Sequence, residues 1–290
     1  MRMVVTGGSG FLGSFVVERL LDRGHAVSVI DVRKPEWTPA AEWIEQDTAD
    51  QAGISQVIAD VRPEAVFHLA GLLGTSETFD HPQLTVRTNV IGTVNVLEAC
   101  RGIPATRYIG VQTGTPWLSP YAISKRAATE FAQGYHRAFG MPVTVLKIFN
   151  AFGARQDGTG PVNKIVPRFA VNALQGKPLP IFGDGNQVID LIHAEECAEC
   201  FVLALERAPG RGEIIEVGSG ITITVREVAE RIMGIVGGGE VEHLPGRVGE
   251  GPEYPVADVS LVRELLGIVP SAGLERLPET VEWYRARLDS

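Results

Sequence analysis

The sequence predicts an α/β protein in which a doubly wound parallel sheet is joined to a smaller C-terminal lobe. Three observations support this fold class. Strand-like and helix-like segments alternate over residues 1–150, the strand-like segments are apolar along their whole length, and Gly, Pro and Asn become frequent after Phe149. Strands that helices cover on both faces are apolar throughout, so the alternation indicates a parallel sheet buried between two layers of helices.

The first unit of this alternation lies at the N-terminus. An apolar strand at residues 2–6 leads into a glycine-rich turn at 7–13, a helix with an apolar face at 11–23 and a second apolar strand at 26–30. Asp31 closes the second strand. Strand, helix and strand in this order form a βαβ unit, whose strands are parallel and whose crossover is right-handed.

The later elements are regular up to residue 150 and less regular beyond it. The same patterns predict helices at 54–59, 86–100, 121–139, 165–174 and 194–206, and strands at 65–69, 107–111 and 143–148. We therefore expect a sheet domain at 1–150 and a second lobe at 151–290, with parts of 186–217 able to return to the first domain.

Composition and charge disfavour several classes of function. The chain has 290 residues and a formal net charge of −9, which repels the phosphate backbone of nucleic acids. No apolar run approaches the ~20 residues that span a bilayer, and the first ten residues carry glycines where a secretory signal needs an apolar run. We expect a cytoplasmic protein that binds neither nucleic acid nor membrane.

The three cysteines suit a reducing compartment, because their number is low and odd. His193, Cys197 and Cys200 would share one face of a helix, which raises the alternative of a metal site. A structural zinc site requires four ligands, and no second cysteine pair supplies the fourth. We therefore favour small buried thiols and expect no metal.

The glycine-rich turn contains Gly7, Gly10 and Gly13 at three-residue spacing. Glycines here permit a tight turn, close approach of a pyrophosphate and close contact of helix and strand, while the helix directs its N-terminus at the phosphates. The pattern follows a strand, opens a helix and precedes an acid at the end of the next strand. This context predicts a Rossmann-type dinucleotide site, and a plain glycine turn leaves the acid unexplained.

Asp31 is that acid. Its carboxylate can accept hydrogen bonds from both hydroxyls of an adenosine ribose and repels a ribose phosphate, which favours NAD over NADP. Arg33 and Lys34 follow closely and leave two alternatives open, since they are either phosphate ligands or solvated side chains.

Tyr121 and Lys125 are four residues apart on a predicted helix, so both side chains point the same way. A lysine cation beside a phenol favours the phenolate and lowers the pKa of the phenol, which makes tyrosine an effective base. The alternative is an ordinary surface pair. The position of the pair after the fourth regular strand, where the carboxyl edge of the sheet should face a nicotinamide, favours a catalytic role.

Thr113 lies at the end of that strand. Its hydroxyl can bond a reacting oxygen and share a proton with Tyr121. A simple turn residue at the end of a strand explains it equally well.

These segments together resemble the extended short-chain dehydrogenase/reductase family, and within it the nucleotide-sugar epimerases of the UDP-glucose 4-epimerase type. The resemblance covers nearly the whole chain and rests on the segments VVTGGSGFLGS, EQDTAD, FHLAG, TNVIGTVNVLEA, PYAISK, IFNAFGARQ, GKPLPIFGDGNQVIDLIHAEE and VADVSLVRELLG.

The resemblance implies a catalytic triad, a cofactor site and a substrate site. Thr113, Tyr121 and Lys125 match the triad, in which the tyrosine deprotonates a sugar hydroxyl and the lysine binds the nicotinamide ribose. Asn150, Lys164 and Arg247 are the expected substrate contacts, Arg247 at the substrate diphosphate. The expected contacts to NAD are Gly7, Gly10, Phe11, Leu12, Gly13, Asp31, Val32, Arg33, Asp47, Thr48, Leu69, Ala70, Gly71, Asn89, Val111, Tyr121 and Lys125.

The chain also departs from the family pattern. Val188 stands where these enzymes usually carry an arginine of the diphosphate clamp, for which Arg168, Lys164 or Arg155 is a possible substitute. Gln112, Thr113 and Gly114 lack the adjacent Asp-Glu pair of the sugar dehydratases, and the glutamate of the decarboxylases is absent there as well. The segment from Thr113 to Tyr121 is shorter than usual, which should reshape the sugar pocket.

Three functions remain open on this basis. The first is an NAD-dependent nucleotide-sugar epimerase, in which the hydride leaves a sugar carbon and returns to its other face. The second is a ketoreductase or dehydrogenase that acts on a nucleotide-linked sugar and exchanges its cofactor, and the third is a dinucleotide-binding regulator without turnover. The resemblance further implies a homodimer formed by the predicted helices at 86–100 and 121–139.

Overall fold

The computed structural model describes residues 1–38, 40–160, 162, 164–251 and 254–289. Pro161 and Asn163, which belong to the stretch rich in Gly, Pro and Asn, lie outside the described residues. The described strands are β1 Arg2–Thr6, β2 Ala26–Asp31, β3 Glu42–Glu45, β4 Ala65–His68, β5 Arg107–Thr113, β6 Val143–Ile148, β7 Asn150–Phe152, β8 Leu179–Phe182, β9 Val188–His193, β10 Arg211–Val217, β11 Thr222–Thr224 and β12 Val241–Leu244.

Helices connect most of these strands. They are α1 Phe11–Asp22, α2 Gln51–Val61, α3 Pro82–Val86, α4 Gly92–Arg101, α5 Pro120–Phe139, α6 Ile165–Leu174, α7 Ala194–Arg207, α8 Val225–Val236, α9 Ser260–Leu266 and α10 Leu277–Leu288. No helix in the described residues is long and apolar enough to cross a membrane.

The main sheet has seven strands in the order β10-β6-β5-β4-β1-β2-β3. Every neighbouring pair is parallel, which confirms the predicted fold class. The chain builds outward in one direction from β1 to β3 and in the other direction from β4 to β6. Ligands of doubly wound sheets bind where this direction reverses, which places the expected site between the carboxyl ends of β1 and β4.

Two apolar layers cover the sheet. On one face α1, α7 and α9 bury residues such as Val17, Phe201 and Val262 against the strands. On the other face α2, α4 and α5 bury residues such as Ile58 and Leu97. The sheet is therefore covered on both faces, as its continuously apolar strands require.

A second core belongs to the C-terminal half of the chain. Helices α6, α8 and α10 pack around buried residues that include Phe169, Val228 and Val281. Strands β8 and β12 form a parallel pair beside them, and β9 pairs with β7 and β11. After α7 the chain returns to the main sheet, where β10 pairs with β6, so residues beyond 150 contribute to both cores.

Two elements within the first 149 residues differ most from the sequence predictions, and the strands and the last three helices beyond them were not predicted. The helix predicted at 86–100 starts earlier, at Pro82, because proline is favoured in the first helical turn, and a π-helical turn at Arg87–Ile91 interrupts it. The strand β3 was not predicted, since its four residues lie at the sheet edge and are only partly buried.

Candidate active site

A cleft of about 1230 Å³ runs along the carboxyl edge of the main sheet and between the two cores. It reaches from Asp31 at one end to Arg247 at the other. Every residue expected to contact NAD or the substrate lines this cleft except Asn89, which lies directly behind its wall. One continuous cavity thus brings together the residues expected for a cofactor and for a substrate.

The glycine-rich turn brings α1 against the end of β4. Gly7 adopts a left-handed φ of +72°, and a Cβ there would lie 2.6 Å from the amide nitrogen of Ala70. A Cβ on Gly13 would lie 2.1 Å from the carbonyl oxygen of Gly7. Gly10, the N-cap of α1, has no side chain to cap the helix, so the first-turn amides remain available to an anion.

Asp31 is fixed at the end of β2 by two backbone amides. Its Oδ2 accepts a hydrogen bond from the Ser9 amide at 3.1 Å, and its Oδ1 accepts one from the Arg33 amide at 3.1 Å. A carboxylate has about four acceptor positions, so lone pairs remain for a ribose diol. Arg33 lines the cleft beside it, whereas Lys34 lies outside the described lining.

The neighbouring wall is formed by the segment after β3. Asp47 accepts a hydrogen bond from the Ala49 amide at 2.9 Å and lies 3.7 Å from Arg87. Thr48 is buried, and its carbonyl accepts a hydrogen bond from the Asn95 side chain at 3.0 Å. Both residues therefore present a fixed surface at the end of the cleft that holds Asp31.

Asn89 lies in the π-helical turn and connects two walls of the cleft. Its Oδ1 accepts from the Leu72 amide at 2.7 Å, and its Nδ2 donates to the Leu72 carbonyl and to Ser124 Oγ at 2.9 Å. Ser124 in turn donates to the carbonyl of Tyr121 at 2.8 Å. Asn89 was expected on the cofactor surface, and the structure instead places it where it positions the lining residues Leu72 and Tyr121.

Tyr121 and Lys125 lie in the first two turns of α5. Ser119 caps this helix by accepting from the Ala122 amide at 3.2 Å, and Thr78 Oγ1 accepts from the amide of Tyr121 at 3.2 Å. Tyr121 is 8% exposed and Lys125 is 5% exposed. The helix is thus held at its start, and both side chains are nearly enclosed by protein.

The electrostatics of this pair follow from its burial. Burial raises the pKa of the Tyr121 phenol, and a side-chain hydrogen bond with Thr113 counteracts this. Burial also lowers the pKa of Lys125 to about 8. Thr113 completes the group by accepting from the Thr115 amide at 3.2 Å. The cleft therefore contains a phenol and a lysine with shifted pKa values beside a hydroxyl, which is the arrangement expected of an acid–base site.

The opposite end of the cleft holds Arg247. Its guanidinium lies 2.9 Å from Glu77 Oε1, 3.1 Å from Glu250 Oε1 and 5.3 Å from the centre of the Phe182 ring. Burial lowers the pKa of the nearby Lys164, and burial likewise raises the pKa of Glu250. This end therefore combines the two expected cations with two carboxylates, and the sequence analysis had not assigned the carboxylates to the site.

Val188 also lines this region, at the start of β9. Of the three proposed substitutes for an arginine there, Lys164 lies near Arg247. Arg155 instead pairs with Glu18 of α1 at 2.8 Å, and Arg168 donates to the Gly160 carbonyl. Both arginines therefore have other partners, and Lys164 is the best placed of the three to replace the missing arginine.

Asn150 begins β7, and its Nδ2 donates to the carbonyl of Asp190 at 3.1 Å. The short segment from Thr113 to Tyr121 brings Pro116 and Trp117 into the cleft lining. The Trp117 ring packs edge-on against Tyr254, with centroids 5.4 Å apart. An aromatic wall therefore borders the pocket beside Thr113 and Tyr121.

The metal alternative finds no support in the geometry. Nδ1 of His193 caps α7 by accepting from the Glu195 amide at 3.4 Å, and Cys197 and Cys200 are buried in the main core. Within the described part of the chain, no three potential metal ligands come together.

Several residues of the site carry no recognisable signal in the sequence. Thr78, Ser124 and Glu77 act through contacts with residues 43, 35 and 170 positions away, respectively. Glu250 has the one available signal, because it follows Arg247 by three residues and meets it as an i,i+3 pair.

Comparison with known proteins identifies the family to which the chain belongs. The model of the NAD dependent epimerase/dehydratase family matches residues 3–218. A UDP-glucose 4-epimerase from Mycolicibacterium smegmatis is 31% identical, with 98% of this chain and 99% of the relative covered. A dTDP-glucose 4,6-dehydratase from Streptomyces niveus is 30% identical, with coverages of 98% and 93%.

Solved structures agree with this relationship. The UDP-glucose 4-epimerase of Thermotoga maritima, crystallised with UDP-glucose, superposes with a TM-score of 0.94 at 30% identity and covers 99% of this chain and 100% of its own. The enzyme of Thermus thermophilus in complex with NAD has a TM-score of 0.89 at 30% identity, with coverages of 98% and 99%. The chain belongs to the NAD-dependent epimerase/dehydratase family, within the extended short-chain dehydrogenases/reductases, and is an enzyme that uses NAD.

Proposed function

We propose that the protein is a nucleotide-sugar epimerase with a reaction like that of UDP-glucose 4-epimerase. One observation supports the proposal most strongly. Tyr121 is hydrogen-bonded to Thr113 and lies one helical turn from Lys125. These residues line the same cleft as Asp31 and Arg247. A cleft of about 1230 Å³ is large enough to hold a dinucleotide and a nucleotide sugar beside the same base.

The cofactor fits the residues that are present. The glycine-rich turn leaves the first-turn amides of α1 for the pyrophosphate, and Asp31 retains acceptors for the ribose hydroxyls. When bound, NAD would supply the hydride acceptor and donor for a carbon of the sugar. In this proposal the remaining cofactor contacts are made by Phe11, Leu12, Val32, Arg33, Asp47, Thr48, Leu69, Ala70, Gly71 and Val111, with Asn89 positioning Leu72 and Tyr121.

Tyr121 acts as the base that takes the proton from the sugar hydroxyl and later returns it. Thr113 forms a hydrogen bond with the oxygen of that sugar hydroxyl and orients the phenol of Tyr121. Lys125 remains mostly protonated at neutral pH, because its pKa of about 8 lies above 7, and its charge favours the phenolate. Lys125 also donates to the nicotinamide ribose in this proposal.

The substrate lies between the triad and Arg247. Asn150 faces the sugar, and Lys164 and Arg247 bind the diphosphate. Arg247 is held by Glu77 and Glu250 in this structure, which fixes its guanidinium at this end of the cleft. We therefore place the nucleotide at this end of the cleft.

The residues beside the triad favour epimerisation over the other reactions of the family. Gln112 and Gly114 flank Thr113 and carry no carboxylate. Expulsion of a hydroxyl or loss of CO₂ from the keto intermediate requires an acid or a carboxylate that these positions do not supply. Return of the hydride requires only the groups already used in the first step.

The direct test is to incubate the purified enzyme with UDP-glucose or UDP-galactose without added cofactor and to separate the nucleotide sugars by chromatography. The proposal expects conversion in both directions to one equilibrium ratio. Conversion by wild type and by a Tyr121→Phe variant at equal rates would show that the base is misassigned.

A ketoreductase is the second candidate, and Val188 is the observation that favours it. Loss of one arginine of the diphosphate clamp indicates a substrate that differs from a simple UDP-hexose. A ketoreductase would consume stoichiometric NADH or NADPH with a keto sugar and would leave UDP-glucose unchanged. The same incubations therefore distinguish the two reactions.

We also propose a cytoplasmic homodimer. Three cysteines remain free and buried, which suits a reducing compartment. Ile91, Ile123, Phe131 and Phe139 lie on the predicted dimer helices and Leu84 lies on α3 just before them, and each side chain is between 45% and 54% exposed. A Phe131→Glu variant should sediment as a monomer, and a dimer that survives this change would point to another face.

A further inference from the structure

Two segments far apart in sequence meet at the cofactor end of the cleft. Glu36 and Trp37 lie in the loop after β2, shortly beyond Asp31, and Trp283 and Arg287 lie on α10. We call these four residues the C-terminal clasp. All four line the same cleft as Asp31 and the glycine-rich turn.

The contacts within the clasp are mutually supporting. The two indole rings pack edge-on with centroids 5.8 Å apart. The Arg287 guanidinium lies 5.0 Å from the Trp37 ring and 5.6 Å from the Trp283 ring, and it pairs with Glu36 at 3.0 Å. Aromatic faces attract a guanidinium, so Arg287 joins both rings and the acid into one unit.

Arg155 extends this unit to the middle of α1. Its guanidinium lies 5.6 Å from the Trp37 ring and 4.4 Å from the Phe15 ring, and it pairs with Glu18 at 2.8 Å. The contacts therefore run from α1 across the loop after β2 to α10. A dinucleotide bound to Asp31 and the first turn of α1 would lie beneath them.

The clasp contributes little to folding by itself. The Glu36 and Arg287 side chains are 59% and 50% exposed, and exposed ion pairs are weak. Helix α10 is already anchored by Val281 and Tyr284 in the second core. The position of the clasp across the cleft is therefore better explained by a ligand than by stability.

We propose that the C-terminal clasp retains NAD by closing over its adenosine half. The cofactor leaves only when the clasp opens, so it stays bound between turnovers. This inference rests on the proposed cofactor-binding residues and is independent of the sugar that the enzyme converts. It assigns cofactor-holding residues to α10, a helix that otherwise belongs to the second core.

The test measures NAD release directly. Enzyme loaded with radiolabelled NAD is mixed with excess unlabelled NAD, and the label that remains bound is followed on a filter. Arg287→Gln should release NAD about tenfold faster than wild type, the size expected for a lost ion pair together with its aromatic contacts. Glu36→Gln loses the ion pair alone and should release NAD about threefold faster. Thermal unfolding of both variants should match wild type.

Arg285→Gln is the matched control, because Arg285 lies on the same helix and pairs with Glu282 at 3.0 Å outside the cleft. It should release NAD at the wild-type rate. Wild-type release by Arg287→Gln and Glu36→Gln, or equal acceleration by Arg285→Gln, would overturn the proposal. An enzyme that fails to epimerise any sugar would still give these rates, so the clasp is judged separately from the proposed reaction.

Discussion

Tyr121 carries the proposed chemistry at the scale of single residues. Removal of its hydroxyl should lower kcat about a thousandfold, the middle of the range for a positioned acid–base group. The ring of a Tyr121→Phe variant can occupy the same buried space, so NAD binding should be unchanged. Steady-state kinetics and calorimetric titration with NAD measure the two quantities. A variant that loses NAD binding and activity together would indicate a structural role instead.

Asp31 makes the second prediction at this scale. Asp31→Asn keeps the shape of the side chain but replaces one acceptor oxygen by a donor. The variant should bind NAD more weakly by about 1–3 kcal/mol, the cost of losing hydrogen bonds to a charged group. Lys34→Gln, outside the described cleft lining, is the control and should bind NAD like wild type. Equal affinities for Asp31→Asn and wild type would place the ribose elsewhere.

At the residue scale the sequence predicts what local spacing determines. Tyr121 and Lys125 face one way because they lie one turn apart, and Gly13 is required because any Cβ would meet the backbone of Gly7. The partners of Arg247 could not be inferred, since Glu77 lies 170 residues away. The side chains of the clasp are separated even further, by about 250 residues in the printed sequence.

At the scale of elements, β4 ends in a buried histidine that connects three parts of the fold. His68 Nδ1 lies 2.7 Å from Thr6 Oγ1 of β1, and His68 Nε2 lies 3.0 Å from Thr93 Oγ1 of α4. Thr6 Oγ1 also accepts from the Ala70 amide at 3.3 Å. His68 therefore positions the strand ends that line the cofactor cleft.

This histidine predicts a pH dependence of stability. Burial, with a smaller contribution from Lys125, lowers the pKa of His68 to about 3 in the folded protein. The unfolded chain protonates near pH 6.5, so stability falls as the pH drops from 6.5 towards 3. His68 alone should lower the free energy of unfolding by about 2 kcal/mol between pH 7 and pH 5.

Urea unfolding at the two pH values measures this loss. His68→Gln should be less stable at pH 7 and should reduce the difference between pH 7 and pH 5 by about 2 kcal/mol. His243→Gln, at an exposed position on β12, should leave the difference unchanged. If His68→Gln retained the full difference, other groups would be responsible.

The boundaries of elements were harder to predict than their existence. The helix from Pro120 to Phe139 follows from a clear apolar face and a proline at its first turn. The π-helical turn at Arg87–Ile91 could not be predicted, because it depends on the contacts of Asn89 with Leu72 and Ser124. A π-helical turn contains one more residue than an α-helical turn, and the apolar periodicity of the sequence does not reveal this extra residue.

At the scale of the whole molecule, Asp190 connects the two cores. This fully buried carboxylate of β9 accepts from the Ser219 amide at 2.8 Å, the Ser219 hydroxyl at 2.6 Å, and the amides of Gly220 and Ala257 at 3.0 Å. The acceptors thus fix the turn after β10 and the approach to α9. A single side chain therefore aligns the main sheet with β9 and its neighbouring strands.

Asp190→Asn should therefore destabilise the protein by about 3 kcal/mol or more. A carboxamide has one acceptor oxygen, so it cannot accept the four hydrogen bonds that the carboxylate accepts. Asp184→Asn, in the exposed turn after β8, is the control and should cost less than about 1 kcal/mol. Chemical unfolding measures both values. Equal stability of the two variants would show that Asp190 is not the connection proposed.

The central claim for the whole enzyme is that one bound cofactor removes and returns the same hydride. The most direct measurement is the fate of deuterium in UDP-galactose labelled at carbon 4 and converted in ordinary water without added NAD. We expect UDP-glucose that retains the deuterium at carbon 4, formed about a thousandfold more slowly by Tyr121→Phe. Loss of the label to water, or no product unless a reduced cofactor is supplied, would contradict it.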